Sequence, residues 1–211
     1  MLKGSEVSNL GIAPKREGLI AFRVDHETIP PGSKVRRYYL HKYRRFIDKM
    51  QSFIEAGSTS LAQHLSTAEW QQLDLRDRQV NLESDVVKMM VVLEAIFENA
   101  RKKFASNLPS RLDCVFVWST LELAKKFRQQ YFPEGVIHRC KILGEAVELD
   151  GGLLPPGINL SDLSLEIFSV EFEATRLRAK QYWTAQEAPN LAELLVVGDV
   201  EVVGLEKTFR S

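Results

Sequence analysis

The stretch SDVVKMMVVLEAIFENARKKFASNLPSRLDCVFVW, residues 84–118, joins the clearest helical pattern of the chain to an apolar run. Apolar residues recur in steps of three and four, which predicts a helix over 84–104 with one buried face. That face comprises Val86, Met89, Met90, Leu93, Ile96, Phe97 and Ala100. Pro109 ends this region, and the run at Cys114–Trp118 predicts a buried strand. The switch from helical to strand periodicity indicates that helices and strands occur in one fold.

Further strands are predicted on both sides of this stretch. Residues 19–24 form a short apolar run, and residues 136–149 read as a strand that Gly144 interrupts. Residues 194–203 have the strongest strand character, with Gly198 as a bulge or tight turn. There is no regular alternation of strands and helices, which favours an α+β fold over a parallel, doubly wound sheet. We expect these strands to form one sheet with helix 84–104 packed on it.

Other helices are predicted from caps and composition. A basic, aromatic helix is expected over Val35–Ile54, and Ala174–Trp183 is expected to form another helix. Ser66 with Glu69, and Ser119 with Glu122, match the capping-box pattern at the starts of helices that extend through Trp70 and over Leu121–Gln130. Ser161 and Asp162 are expected to begin a short helix. Residues 1–18 are interpreted as a flexible leader and residues 19–211 as a single domain, with a helical part at about 35–104.

Composition narrows the classes of function. The 211 residues carry 28 Lys and Arg against 28 Asp and Glu, so the formal net charge is zero. A protein that coats nucleic acid would carry a basic excess. The two cysteines, Cys114 and Cys140, lack metal-ligand spacing, so neither a metal site nor a disulfide is expected. No stretch is long and apolar enough for a membrane span, and we expect a cytoplasmic protein without membrane contact.

Three stretches, taken in order along the chain, resemble a known family. They are LEAIFENARKKFASNLPSRLDCVFVWSTLELAKKF (residues 93–127), AKQYWT (179–184) and AELLVVGDVEVV (192–203). They resemble an uncharacterised bacterial family with an ADP-ribosyltransferase-like fold, distantly similar to DNA-targeting ADP-ribosyltransferase toxins. The resemblance covers about 19–40 and 84–204. It implies a split antiparallel β-sheet core with a helical insertion, and NAD as substrate.

The resemblance also implies roles for individual residues. Glu193 would be the catalytic carboxylate, stabilising the positively charged sugar as the bond to nicotinamide breaks, and Glu201 is the alternative. Arg23, with His26 as its competitor, would contact the phosphate or ribose of NAD. Ser119 and Thr120 would support the carboxylate and the ribose, and Trp183 would stack on nicotinamide or on a target base. Each residue also has a structural interpretation: Glu193 as a solvated charge, Arg23 as an outward strand residue, Ser119 as a helix cap, and Trp183 as core.

The function that the resemblance implies is a mono-ADP-ribosyltransferase that uses NAD to modify a protein or nucleic acid. Two alternatives remain: a catalytically degenerate module that binds a nucleotide or nucleic acid, and an NAD glycohydrolase. The segment Lys34–Arg45 is basic and aromatic and contains no acidic residue. It is interpreted either as a contact surface for a nucleic acid or as a solvated basic helix face. Arg111 would hold a phosphate or pair with a helix end.

Overall fold

Seven strands pair side by side into one antiparallel sheet in the part of the chain that the computed structural model describes. The described residues are 18–35, 39–75, 83–155, 160, 163–184 and 189–206. The strands are β1 (Ile20–Asp25), β2 (Lys34–Val35), β3 (Cys114–Trp118), β4 (Val136–Ile142), β5 (Glu145–Asp150), β6 (Ala192–Val197) and β7 (Val200–Leu205). Their order across the sheet is β2-β7-β4-β1-β3-β6-β5. The architecture is therefore α+β, as the sequence predicts.

Six α-helices lie between these strands in the described ranges. They are α1 (Arg44–Ala56), α2 (Ser58–Leu65), α3 (Ala68–Gln71), α4 (Ser84–Phe104), α5 (Leu121–Tyr131) and α6 (Leu165–Thr184). Side chains of α1, α2, α4 and α6 share one apolar core with Cys114, Val147 and Leu195 of the sheet. Helix α5 packs separately against Trp118 and Ile137. Helix α4 packs mainly against α1 and α6 and shares this core with residues of the sheet.

Strand registers assign each residue to one of the two faces of the sheet. Phe22 pairs with Trp118, and Trp118 pairs with Glu193, so these three side chains share a face. This helix-covered face also includes Cys114 and Leu195, which pack under the helices. Arg23 follows Phe22 along β1 and therefore points to the opposite face. The opposite face has its own core, formed by aliphatic residues and one cysteine: Ala21, Val115, Val117, Cys140, Ile142, Ala146, Leu194, Val196, Val200 and Val202.

The junction between β1 and β3 differs from the other junctions in the sheet. Strand β1 pairs with β4 along all of Ile20–Asp25, whereas its register with β3 consists of the pair Phe22 and Trp118. The Arg23 side chain adds a hydrogen bond across this junction, from Nη1 to the carbonyl oxygen of Phe116 at 3.2 Å. The sheet thus divides into a group β2-β7-β4-β1 and a group β3-β6-β5.

Both glycines predicted to interrupt strands lie at turns. Gly144 lies between β4 and β5, and Gly198, with a φ of 110°, lies between β6 and β7. The strands predicted at 19–24, 114–118, 136–149 and 194–203 are therefore confirmed, the last two as pairs of strands. Strands β3 and β6 are buried along most of their length, and such continuous apolar runs can be located directly in the sequence.

The predicted basic helix over Val35–Ile54 is wrong at its start. Lys34 and Val35 form β2 by pairing with Glu201 and Val200, a 3₁₀ helix covers Tyr39–Tyr43, and α1 begins at Arg44. Residues 36–38 are outside the described residues, as are the leader 1–17 and the start of the short helix predicted at Ser161. Gly18, predicted as the end of the leader, is described: its amide donates to the carbonyl of Ile142.

Three predicted details of the helices are also wrong. The caps lie one residue later than predicted: Thr67 accepts from the amide of Trp70, and Thr120 from that of Leu123. Val86, predicted to be buried, is 39% exposed. Because both α1 and α6 pack on α4, its buried face is wider than predicted and does not include Val86. Its buried residues are Val87, Lys88, Val91, Val92, Glu94, Ala95, Ile96, Phe97, Glu98 and Ala100. The helix predicted over Ala174–Trp183 begins earlier, at Leu165.

Gly144→Ala is expected to lower the free energy of unfolding by about 1–3 kcal/mol, because overpacking forces the backbone to shift. A Cβ atom at position 144 would lie 2.0 Å from the carbonyl oxygen of Val197, the last residue of β6 before the turn at Gly198. Gly204→Ala is the matched control, since a Cβ there meets nothing within 4 Å. Urea unfolding compares the two variants. Equal stabilities would show that the two turns are not in close contact.

Candidate functional site

The turn Pro109–Arg111 binds two glutamates that lie one helical turn apart on α4. The Ser110 hydroxyl donates to Oε2 of Glu98 at 2.9 Å, and Nε of Arg111 lies 3.2 Å from Oε2 of Glu94. Arg101 also donates to Glu98, with the shorter contact at 2.7 Å. All four of Glu94, Glu98, Ser110 and Arg111 are buried. These contacts fix the start of β3 against the helix.

Arg111 also connects α4 to β6 and α6. Its Nη1 donates to Oε1 of Glu193 at 2.5 Å and to the hydroxyl of Tyr182. Its guanidinium carbon lies 4.5 Å from the ring centre of Phe116 and 5.0 Å from that of Tyr182. Aromatic faces stabilise a guanidinium at such distances. One side chain thus bridges a helix, a strand and a second helix in a space lined by aromatic rings.

Glu193 is enclosed by this bridge. The hydroxyl of Tyr182 donates to Oε1 of Glu193, which also accepts from Arg111, and Glu193 is 2% exposed. Its position in β6 places it beside Trp118 on the helix-covered face. We name the four side chains Glu94, Arg111, Tyr182 and Glu193 the buried network. The interpretation of Glu193 as a solvated charge is therefore wrong.

Burial raises the pKa values of two members of the buried network, Glu94 and Tyr182. It raises the pKa of Glu94, because the loss of water disfavours the charged carboxylate more than Arg111 favours it. It also holds the pKa of the Tyr182 hydroxyl well above its ordinary value, and the nearby Glu193 carboxylate acts in the same direction. A protonated Tyr182 can donate to Glu193 while accepting from Arg111. The network is arranged to hold a carboxylate in place by a cation and a hydroxyl.

Arg23 lies away from this network. Its Nε and Nη2 donate to the two carboxylate oxygens of Asp25 at 2.8 and 2.7 Å. Since Arg23 and Glu193 point to opposite faces of the sheet, the structure does not bring them together on one face. The resemblance implies that both residues act on the same NAD molecule, and in this arrangement they lie on different sides of the sheet.

The remaining candidate residues lie in several different parts of the fold. His26 lies 4.7 Å from the ring of Phe132, edge to face. Ser119 is half-buried after Trp118, and Thr120 is exposed and caps α5. Trp183 is 1% exposed, and its indole nitrogen donates to the carbonyl of Phe97 at 2.8 Å. Trp183 is thus a core residue, and the prediction that it stacks on nicotinamide needs a different conformation.

Several residues of the basic segment Lys34–Arg45 contact acidic residues of the same chain. Arg44 donates to Asp113 at 2.6 Å, and His41 lies 3.3 Å from the same carboxylate. Lys34 is half-exposed and lies 3.9 Å from Asp199. Glu201, the alternative catalytic carboxylate, is half-buried opposite Lys34 in the register of β2 and β7. The described residues of this segment therefore form several local contacts instead of one continuous helix face.

A family model described as "Protein of unknown function (DUF2441)" matches residues 27–209. The chain belongs to the DUF2441 family. A search of curated proteins found no match. The match includes every member of the buried network, whereas β1 with Arg23 precedes it. Across the described residues of this DUF2441 chain, no helix is both long and apolar enough to cross a membrane.

Reasoning from the sequence missed how Arg111 and Tyr182 contribute to this site in the DUF2441 chain. Glu94 and Glu98 carry the available signal: two acidic residues, four apart, interrupt the apolar pattern of α4. Charges at buried helix positions require partners. Ser110 and Arg111 follow soon after in the sequence and supply two of them. The contact with Tyr182, 71 positions away, depends on how α6 packs and leaves no local signal.

Proposed function

We propose that this protein has a core of the ADP-ribosyltransferase type. The resemblance implies a split antiparallel sheet, and the sparse register between β1 and β3 supports such a division. The position of Glu193 supports the same interpretation, because it is the second residue of β6 and pairs with Trp118, the last residue of β3 before Ser119. The resemblance would place the carboxylate close to those residues.

We propose that the protein is a binding module of this fold, for NAD or a related nucleotide, in which Glu193 is structural. The observation that carries this choice is the enclosure of Glu193, whose Oε1 accepts from both Arg111 and Tyr182. A catalytic carboxylate must meet the positive charge that develops on the ribose. Freeing Glu193 would leave Arg111 buried without this partner, which is costly. The ligand class rests on the resemblance and on the division of the sheet.

The second candidate is the mono-ADP-ribosyltransferase, acting on a protein or nucleic acid. It is favoured by the place of Glu193 at the start of β6, which matches the role that the resemblance implies. This activity requires α6 to move, since Tyr182 covers the carboxylate from that helix. An NAD glycohydrolase would also require α6 to move away from Glu193. In both enzymes the charge of Glu193 would stabilise the cationic sugar.

Titration calorimetry with NAD, together with labelled NAD in a cell lysate, distinguishes these proposals. The natural chain is expected to bind NAD without releasing nicotinamide or transferring label. Glu193→Gln should keep the NAD affinity within about twofold, because it removes charge from a site that the ligand does not touch. Glu201→Gln is the matched control, since it changes a carboxylate on β7 that is only half-buried.

Two other results would contradict the NAD-binding module. Label transfer that falls by about 10²- to 10³-fold in Glu193→Gln, with the variant still folded, would establish the transferase. Absence of NAD binding to the folded natural chain would refute the NAD-binding module. Circular dichroism of each variant reports folding independently of binding.

A further inference from the structure

A cavity of about 330 Å³ lies beside the first turns of α4. The described residues that line it come from α3, α4 and the segment before α6: Trp70, Gln71, Asp85, Lys88, Leu160 and Leu163. We name it the Lys88 cavity. Small-molecule sites in proteins typically have volumes of ~300 Å³ or more. None of the four side chains of the buried network lines this cavity, so it is a separate site.

Lys88 brings a buried positive charge to the wall of the cavity. It is 7% exposed, and its Nζ donates to the carbonyl oxygen of Gln71, which also lines the cavity, at 2.9 Å. Oδ1 of Asp85 lies 3.9 Å from the same nitrogen, which is longer than a hydrogen bond. An ammonium group carries three N–H donors. Two of them therefore have no acceptor within hydrogen-bond distance among the described residues, and a buried charge needs such partners.

The surroundings of Lys88 favour an anion as the further partner. The side chain of Asp85 is 97% exposed, so water screens its attraction to the ammonium. Helix α4 begins beside the cavity, and Glu83, the residue before it, makes no side-chain capping hydrogen bond. The start of a helix carries partial positive charge from its unpaired amides. A buried ammonium and the start of a long helix thus both attract negative charge to the cavity.

We propose that the Lys88 cavity binds a small carboxylate with an apolar body. The carboxylate accepts from the remaining N–H groups of Lys88, and the body packs against the buried Trp70 and the half-buried Leu160 and Leu163. A phosphate group fits less well, because its charge of about −1.5 to −2 exceeds that of one lysine with Asp85 nearby. This site is independent of the NAD-binding module, since it uses other residues.

NMR titration of the full chain tests this proposal, with benzoate and hexanoate as probes that carry an aromatic and an aliphatic body. The backbone amide signals of Gln71, Asp85 and Lys88 should shift to saturation with at least one of them. Benzamide has the shape of benzoate without its charge, and it should bind at least about tenfold more weakly than benzoate, because charged hydrogen bonds are the stronger ones. Inorganic phosphate should bind more weakly than the better carboxylate.

Three variants locate the binding at the ammonium. Lys88→Met should weaken binding of the carboxylate at least about tenfold and leave benzamide binding nearly unchanged. Lys102→Met is the matched control, since it removes a half-exposed cation from the same helix, and it should change neither affinity. Asp85→Asn removes the competing carboxylate and should tighten carboxylate binding about two- to threefold. Circular dichroism reports the folding of each variant.

Several results would overturn the proposal. They are the absence of saturable shifts at the cavity with both carboxylates, equal binding of benzoate and benzamide, and carboxylate binding that a folded Lys88→Met variant retains in full. Tighter binding of phosphate than of either carboxylate would overturn the choice of ligand. If Lys88→Met does not fold, Asp85→Asn decides, and unchanged or weaker carboxylate binding in that variant would exclude Lys88 as the partner of the anion.

Discussion

Arg111→Met is expected to lower the free energy of unfolding by about 3–5 kcal/mol, as the removal of one partner from a buried ion pair does. Arg111 contacts the carboxylates of both Glu94 and Glu193, and both are nearly inaccessible to water. Without the guanidinium, the Glu193 carboxylate remains buried beside Glu94 with only the Tyr182 hydroxyl to stabilise it. Methionine preserves much of the side-chain volume, so the decrease in the free energy of unfolding reflects the removed charge more than a loss of packing. Urea unfolding followed by tryptophan fluorescence gives the free energy.

Two further variants separate this effect from a general loss of a cation. Lys102→Met removes a half-exposed partner of Asp48, and the free energy of unfolding should change by less than about 1 kcal/mol. Arg111→Met combined with Glu193→Gln should recover at least about 1 kcal/mol relative to Arg111→Met alone, because the unpaired charge is gone. If Arg111→Met is no more harmful than Lys102→Met, the buried network does not stabilise the fold.

Strands were predicted from the sequence more accurately than helices, and the reason is physical. Strands β3 and β6 each pair with a neighbouring strand on both sides, and most of their residues are buried and apolar. The ends of these apolar runs in the sequence therefore mark the ends of the strands. Strand β2 exists because Lys34 and Val35 meet β7, and this partner lies far along the chain. No local pattern reveals such a pairing. The sequence pattern therefore indicates a helix for the first part of the basic segment, where the structure has a strand.

Helix α6 shows how a real periodicity can be hidden. Its inner face is buried, and the exposed residues Ile167, Val170 and Leu177 are also apolar, so the contrast that marks an amphipathic helix is small. Only the part from Ala174 onward was predicted, although the helix begins at Leu165.

The candidate site was predictable in part. The resemblance pointed to Glu193, but its surroundings come from α4, α6 and the turn before β3. Three elements far apart in sequence determine that this carboxylate is enclosed. Residue type and neighbouring sequence could not distinguish an enclosed glutamate from one that faces a substrate. The burial of Glu193 is a consequence of helix packing.

Alkaline conditions are expected to destabilise the fold through two thiols. Burial raises the pKa of Cys114 and of Cys140 from an ordinary value of 9.0 to about 12. Between those values the unfolded chain loses the thiol protons while the folded chain keeps them. Because the folded state then binds more protons, stability is fully present below pH 9 and falls as the pH rises toward 12.

Each thiol should therefore reduce the free energy of unfolding by about 2–3 kcal/mol at pH ~11, and the two together by about 5 kcal/mol. Urea unfolding of the natural chain and of a Cys114→Ala, Cys140→Ala variant, at pH ~8 and ~11, measures this contribution. The variant should be the less stable protein at the lower pH, since it loses buried sulfur. It should lose about 5 kcal/mol less than the natural chain on going to the higher pH, because lysine and tyrosine titrations are common to both proteins and cancel in the comparison. Equal losses in the two proteins would mean that the folded state admits thiolates at Cys114 and Cys140, and hence that water reaches both faces of the sheet.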